Sequence, residues 1–173
     1  LIAELRKHIT VYSVLKVKKV VKAGSFAKFT ILKKTAEDDI DVDVVFYIDG
    51  KNIDNTTLDN LNDLIYSLLT KIYPTKAVED FEIQRRAATV TFVKSGISVD
   101  IVPVIQDESN PNHGWQYDLK SKERNLTCAP CHIQFIRDRK NSDKHYRTLV
   151  RMAKRWKNFE NPPGLKSFHI ELI

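Results

Sequence analysis

What the sequence lacks narrows it first. No apolar run approaches the roughly 20 residues needed to span a bilayer. The longest are short, such as Ile101 to Ile105, and Pro103 interrupts that one. The opening stretch, Leu1 to Lys7, lacks the charged-then-apolar layout of a secretory signal. No initiating Met is present, so further residues upstream are expected. There is no internal repeat, no low-complexity tract and no long block of one charge sign to suggest disorder. Together these absences predict a soluble protein of the cytoplasm with no membrane partner.

Cysteine is scarce. The pair sits in Cys128-Ala-Pro-Cys131-His132, formally a haem-attachment pattern. Haem attachment would require secretion, which the missing signal argues against. Zinc would need two more ligands, and His145 and His113 are only loosely placed to supply them. The expectation is two ordinary, partly buried thiols.

What is present suits one domain, or one domain and part of a second: 173 residues, 42% of them apolar, enough for a real core. The formal net charge of +6 is compatible with anionic partners such as polyphosphates or nucleic acid, without establishing them. Apolar residues at helical spacing predict a first helix from Leu1 to about Leu15. Lys18 to Ala23 reads as a strand that ends at Gly24-Ser25. Ile40 to Ile48 is the strongest strand in the chain, and Asn55 to Tyr73 is a helix with one leucine-rich face, capped by Thr56 and Asp59. Phe81 to Val93 and Gly96 to Val104 predict two strands in a hairpin around Lys94-Ser95-Gly96. Gln106 to Asn125 has loop composition. Helices follow Pro130, one carrying an apolar stripe of Leu149, Met152, Ala153 and Trp156, with Pro162-Pro163-Gly164 before the last, Leu165 to Ile173. The order implies an α+β core, residues 1–128, joined to the start of a helical domain, residues 129–173, expected to be incomplete here.

The chemistry sits on the strong strand. Asp39, Asp41 and Asp43 recur at a spacing of two, and because a strand alternates its faces, all three point the same way. Like charges stacked on one face repel, and water or cations must relieve them. Divalent ions suit such hard oxygen ligands. Two overlapping pairs are available, Asp39/Asp41 and Asp41/Asp43. Asp100, inside apolar Val99 to Val102, is a second costly carboxylate that would join the pair if the strands are neighbours. Three carboxylates could then hold two ions. Gly24-Ser25 supplies backbone N–H groups and a hydroxyl suited to a phosphate.

Gly24-Ser25-Phe26, Asp41-Val42-Asp43-Val44-Val45-Phe46 and Val99-Asp100-Ile101-Val102-Pro103, in this order, resemble the DNA polymerase β-like nucleotidyltransferases. Tyr146 to Trp156, followed by Leu165 to Leu172, looks like the branch of oligoadenylate synthetases, cyclic GMP-AMP synthase and the bacterial cyclic-oligonucleotide synthases of antiphage defence. The resemblance implies a nucleotidyltransferase core with a mixed, mainly antiparallel sheet flanked by helices. It implies Mg2+, or Mn2+, held by Asp41, Asp43 and Asp100, which selects the Asp41/Asp43 pair. Gly24 and Ser25, with Lys154 and Ser167 from the helical side, would bind the nucleotide. Substrates would be nucleoside triphosphates such as ATP, joined into a cyclic oligonucleotide, with a nucleic-acid or protein activator unspecified. Rival expectations are transfer to a macromolecule, of the CCA-adding or protein-modifying type, and a nucleic-acid-binding module that has lost its chemistry. One departure stands out: Phe29 precedes Thr30 where the family often has Gly, so a differently shaped loop is expected there.

Overall fold

The computed structural model describes residues 1–32, 40–50, 53, 57, 58 and 60–172. Among the described residues, seven strands form one sheet: β1 (Val17–Lys22), β2 (Ile40–Ile48), β3 (Phe81–Ile83), β4 (Ala88–Phe92), β5 (Ile97–Gln106), β6 (Gly114–Tyr117) and β7 (Arg124–Thr127). Their order is β1-β2-β5-β4-β3, and the far half of β5 pairs with β6, which pairs with β7. Only β2 and β5 run parallel; the other pairings are antiparallel. A parallel pair needs a crossover, and α3 (Leu61–Ile72) lies within it.

The leucine face of α3 packs with Leu5 and Ile9 of α1 (Ile2–Tyr12) against Val44, Phe46 and Ile48 of β2 and Ile101 and Ile105 of β5. Truncating a fully buried member such as Ile65 should cost about 2–5 kcal/mol. The alternate residues of β2, Val45 and Tyr47, point to the opposite face. There a smaller cluster forms with Ala23, Val104 and Ala129 at the start of α4 (Ala129–Ser142). Asp41 and Asp43 share the parity of Val45 and Tyr47, so they emerge on that second face.

Several sequence expectations need correction. The long strand from Phe81 to Val93 is two strands. Gln84 to Ala87 turns between them, with Gln84 N donating to Ala87 O at 2.8 Å. Arg85 and Arg86 in that turn both donate to the fully buried carboxylate of Asp118, at 2.6 and 2.8 Å. These bonds, Arg85 first, hold Asp118 well below the usual carboxylate range. Asp118 also closes the turn between β6 and β7, accepting from Lys120 N and Ser121 N. Its segment had read as loop because strands this short and polar carry little alternation.

On α5 (Tyr146–Glu160) the buried residues are Val150 and Lys154, one turn apart. The stripe residues Leu149, Met152 and Trp156 are exposed by half or more. The last helix is a single turn, α6 (Ser167–Ile170), rather than Leu165 to Ile173. Cys128 and Cys131 are not two separate thiols: they form a disulfide, Cys128 buried and Cys131 exposed. Cys128 caps α4 and accepts from Cys131 N at 3.2 Å, which brings the sulfurs of a C-x-x-C pair to one helix end. The cap proposed at Thr56 and Asp59 lies outside the described residues.

Candidate functional site

Strand register builds the site. In the parallel pairing, Asp43 stands opposite Asp100, and Asp41 opposite Ser98. On the other side of β5, Asp100 stands opposite Thr89 and Ser98 opposite Thr91, and Thr89 in turn stands opposite Glu82. Two polar rows therefore cross the sheet on one face, Asp43–Asp100–Thr89–Glu82 and Asp41–Ser98–Thr91. Thr89 Oγ1 donates to Asp100 at 2.6 Å, and the hydroxyls of Thr91 and Ser98 lie 2.9 Å apart.

Burial raises the Asp43 carboxyl above its ordinary range, and the nearby charges of Asp100 and Asp41 raise it further, against the pull of Lys28. Burial also raises Asp100, with Glu82 adding to it and the Thr89 hydrogen bond opposing it. Like-charge repulsion on half-buried oxygens is a cost that a bound cation would remove. The donors are hard oxygens, as a divalent cation of the magnesium type requires, so the residues present fit such an ion. Their oxygens are not drawn into a tight cluster, however. Among the described residues, the donor group whose atoms all lie within 4.8 Å of one another is His113, Cys128 and Cys131, and there the disulfide occupies both sulfurs. Asp39 lies outside the described residues.

The turn after β1 is fitted to Asp43. Ala23 N donates to Asp43 O at 2.8 Å, and Gly24 adopts φ +60°. A Cβ on Gly24 would lie 1.6 Å from Asp43 Oδ2, so only glycine lets the carboxylate come this close to the turn. Ser25 follows in the short helix α2 (Gly24–Lys28), which closes at Phe29. Phe29 sits at φ 58°, the left-handed conformation that a glycine there would take without strain. The expected difference in loop shape is thus absorbed by one residue's backbone, and Thr30 N still returns to Ser25 O at 2.9 Å.

The helical side presents a different picture from the sequence. Lys154 is 4% exposed, and its ammonium donates to Thr30 O at 3.3 Å, to Thr30 Oγ1 at 3.2 Å and to Glu171 Oε1. Lys28 donates to the other oxygen, Glu171 Oε2, and Thr30 Oγ1 donates to Oε1. Burial alone would raise Glu171, but the bonds from Lys154, Lys28 and Thr30 together hold it below its ordinary range. Burial lowers Lys154, against the opposing pull of Glu171. Ser167 opens α6 and is half-buried.

A recess of about 130 Å³ next to the acidic row is lined by Gly24, Lys28, Asp43, Gln116 and His132, among others. Burial, and secondarily the Lys28 charge, lowers His132. A larger cleft of about 780 Å³ runs beside it between Ile31, Leu32 and Ile40 and the α5 residues Arg151, Met152 and Arg155.

Lys28, Thr30, Thr89 and Glu171 were missed by sequence reasoning. Glu171 carried the same signal as Asp100, an acid between apolar neighbours in Ile170-Glu171-Leu172. Lys28 and Thr30 carried none beyond lying near Gly24-Ser25.

A mixed sheet with two acidic rows beside a glycine turn, backed by helices on both faces, has the α+β architecture of a nucleotidyltransferase core. The chain belongs to the family of the Second Messenger Oligonucleotide or Dinucleotide Synthetase domain, whose profile matches residues 1–140. Curated relatives of the chain are cyclic-oligonucleotide synthases. It is 55% identical over 174 residues to the CBASS oligonucleotide cyclase CdnC of Escherichia coli strain KTE188, covering all of this chain and 55% of that protein. It is 36% identical over 164 residues to the cyclic AMP-AMP-AMP synthase of E. coli strain MS 115-1, covering 90% of this chain and 49% of that one. The structure of E. coli MS115-1 CdnC with ATP superposes with a TM-score of 0.73 at 31% identity, over 98% of this chain and 53% of that one. The same CdnC has also been solved in complex with HORMA-deltaN, again with a TM-score of 0.73. The chain spans about half the length of the curated relatives it matches. No helix among the described residues is long and apolar enough to cross a membrane.

Proposed function

We propose that the full protein is a metal-dependent nucleotidyltransferase that joins nucleoside triphosphates such as ATP into a cyclic oligonucleotide for antiphage signalling in the cytoplasm. The observation that carries this reading is the Asp43–Asp100 pairing across parallel strands, with Asp41 on the same face and Gly24 shaped to admit the Asp43 carboxylate. Asp41, Asp43 and Asp100 would hold two Mg2+ ions, or Mn2+, which when bound neutralise charge on the phosphates and on the attacking hydroxyl. Asp100 receives a hydrogen bond from Thr89 that fixes its orientation. Gly24 and Ser25 would meet the phosphates at the turn, with Ser167 on the helical side, and Lys154, bonded to Thr30 and Glu171, would support the site through that cluster. In-line transfer of this kind depends mainly on such positioning.

A relative that makes cyclic AMP-AMP-AMP and a neighbour solved with ATP favour adenine nucleotides among the substrates. A HORMA-type protein is the natural candidate for a partner, from the complex formed by that neighbour. The test is to incubate the full-length protein with four labelled nucleoside triphosphates and Mg2+ and to identify the products. A cyclic product resistant to phosphatase supports the reading. Transfer of nucleotides to RNA or protein, with no free cyclic product, contradicts it.

A further inference from the structure

We infer that Lys28 is the cation that meets the substrate's phosphates beside Asp43, and that Glu171, with Lys154 and Thr30 behind it, is the positioning residue that holds Lys28 there. This rests on the proposed function, because it assigns residues to the phosphate side of that same site.

A lysine ammonium has three hydrogens and no acceptor. Lys154 directs all three within the fold, two to Thr30 and one to Glu171 Oε1. It cannot reach a phosphate without breaking one of these bonds. Lys28 spends one on Glu171 Oε2, its hydrogen bond among the described residues. It also lines the recess with Gly24 and Asp43, and its ammonium lies 5.5 Å from the centre of the Phe168 ring, so it has hydrogens left for a phosphate beside the turn.

Charge also favours a phosphate beside this cluster. The buried cluster contains two lysines and one glutamate, a net positive charge set against the carboxylates of the acidic rows. The Lys28 charge opposes the raising of the Asp43 carboxyl, and Lys154 feels the Asp43 charge from within the same cluster. A phosphate seated there would bring negative charge that such a cation offsets.

Connectivity explains why Glu171 is buried at all. Lys28 and Thr30 belong to the segment after β1, whereas Lys154 lies in α5 and Glu171 caps the end of α6. One carboxylate, 2% exposed, with both oxygens taken, ties the phosphate-side turn to the helical region. Tyr146 Oη donates to Glu171 O at 2.9 Å and fixes the backbone at the same point. A buried carboxylate with two cations has a defined geometry, so Lys28 is pre-oriented before the nucleotide arrives.

The experiment uses the full-length protein and calorimetric titration with a non-hydrolysable ATP analogue and Mg2+. Lys28→Gln should weaken binding about tenfold or more, the loss of one charge-assisted contact. Lys28→Arg should recover part of it. Glu171→Gln should weaken binding by a similar factor, and Lys28→Gln with Glu171→Gln should bind no more weakly than Lys28→Gln alone, because Glu171 acts through Lys28. A Lys28→Gln protein that binds the analogue like wild type overturns the inference, and this variant decides it even if Glu171→Gln does not fold. Multiplying losses in the double variant overturn the positioning role. Wild type that makes product while Lys28→Gln binds normally defeats this inference alone. Wild type that binds the analogue but makes no product defeats the functional reading alone.

Discussion

Gly24 and Gly164 both adopt left-handed backbone, φ +60° and +78°, but in opposite surroundings. A Cβ on Gly164 meets nothing within 4 Å, whereas one on Gly24 lands 1.6 Å from Asp43 Oδ2 and 2.6 Å from its Cγ. Alanine at either position incurs the left-handed penalty of roughly 1–2 kcal/mol. At Gly24 the Asp43 carboxylate must also turn away by more than an ångström, out of its place opposite Asp100. A displacement of about 1 Å at a reacting centre can cost on the order of a hundredfold in rate. Chemical denaturation of the full-length variants should show Gly164→Ala destabilised by about 1–2 kcal/mol with turnover unchanged. Gly24→Ala should be destabilised by at least as much, with turnover down roughly a hundredfold. A Gly24→Ala protein with wild-type turnover would refute the claim that this glycine exists to admit Asp43.

Other outcomes follow from the same geometry. Because burial and like charge raise Asp43 and Asp100, the folded chain binds their protons more tightly than the unfolded chain. Stability without metal should therefore fall as pH rises above the ordinary carboxylate range, then level off beyond the raised values. Asp43→Asn should be more stable than wild type at pH 7 without metal and should lose that advantage when Mg2+ is added, both read by thermal melting. Glu171 is shifted the other way, so its contribution is present above the ordinary carboxylate range and is lost as pH falls through its lowered value. Lys154→Ala leaves a buried carboxylate short of a partner and should cost about 3–5 kcal/mol. Lys144→Ala, at an exposed position, should stay within about 0.5 kcal/mol of wild type; equal losses would show that burial of the cluster has no energetic weight. Thiol titration of unfolded protein should find no reactive thiol without reductant and both after reduction, whereas two reactive thiols throughout would contradict the Cys128–Cys131 bond.

Much of the fold could be read from the sequence where a single periodicity governed the segment. β2 occupies Ile40–Ile48, as its run of β-branched and aromatic residues indicated, because it is central and buried at its apolar end. The acidic residues were legible for the same reason: carboxylates are conspicuous on such a strand, and parity alone puts Asp41 and Asp43 on one face. The pairing of Asp43 with Asp100 depends on register between strands about fifty residues apart, which no local pattern encodes. β6 and β7 were illegible because Asp118 and two arginines, rather than alternating apolar residues, hold their turn. The helical stripe misled for a related reason. Amphipathicity shows that a face exists but not what packs on it, and within this chain α5 turns Val150 and Lys154 inward. Lys154 stood out through the family resemblance, yet its partner Glu171 lies beyond α6, and only the fold brings the two together.

The central claim is that the carboxylates of Asp41, Asp43 and Asp100 hold the ions that drive nucleotide transfer. It is tested most directly by pyrophosphate release from the full-length protein at saturating Mg2+ and ATP, comparing wild type with Asp43→Asn. Asn keeps the size of the side chain and removes the charge that the row shares with Asp100. The account predicts steady release by wild type and none above background from Asp43→Asn, with the variant still folded. Release by Asp43→Asn at a near-normal rate would contradict it.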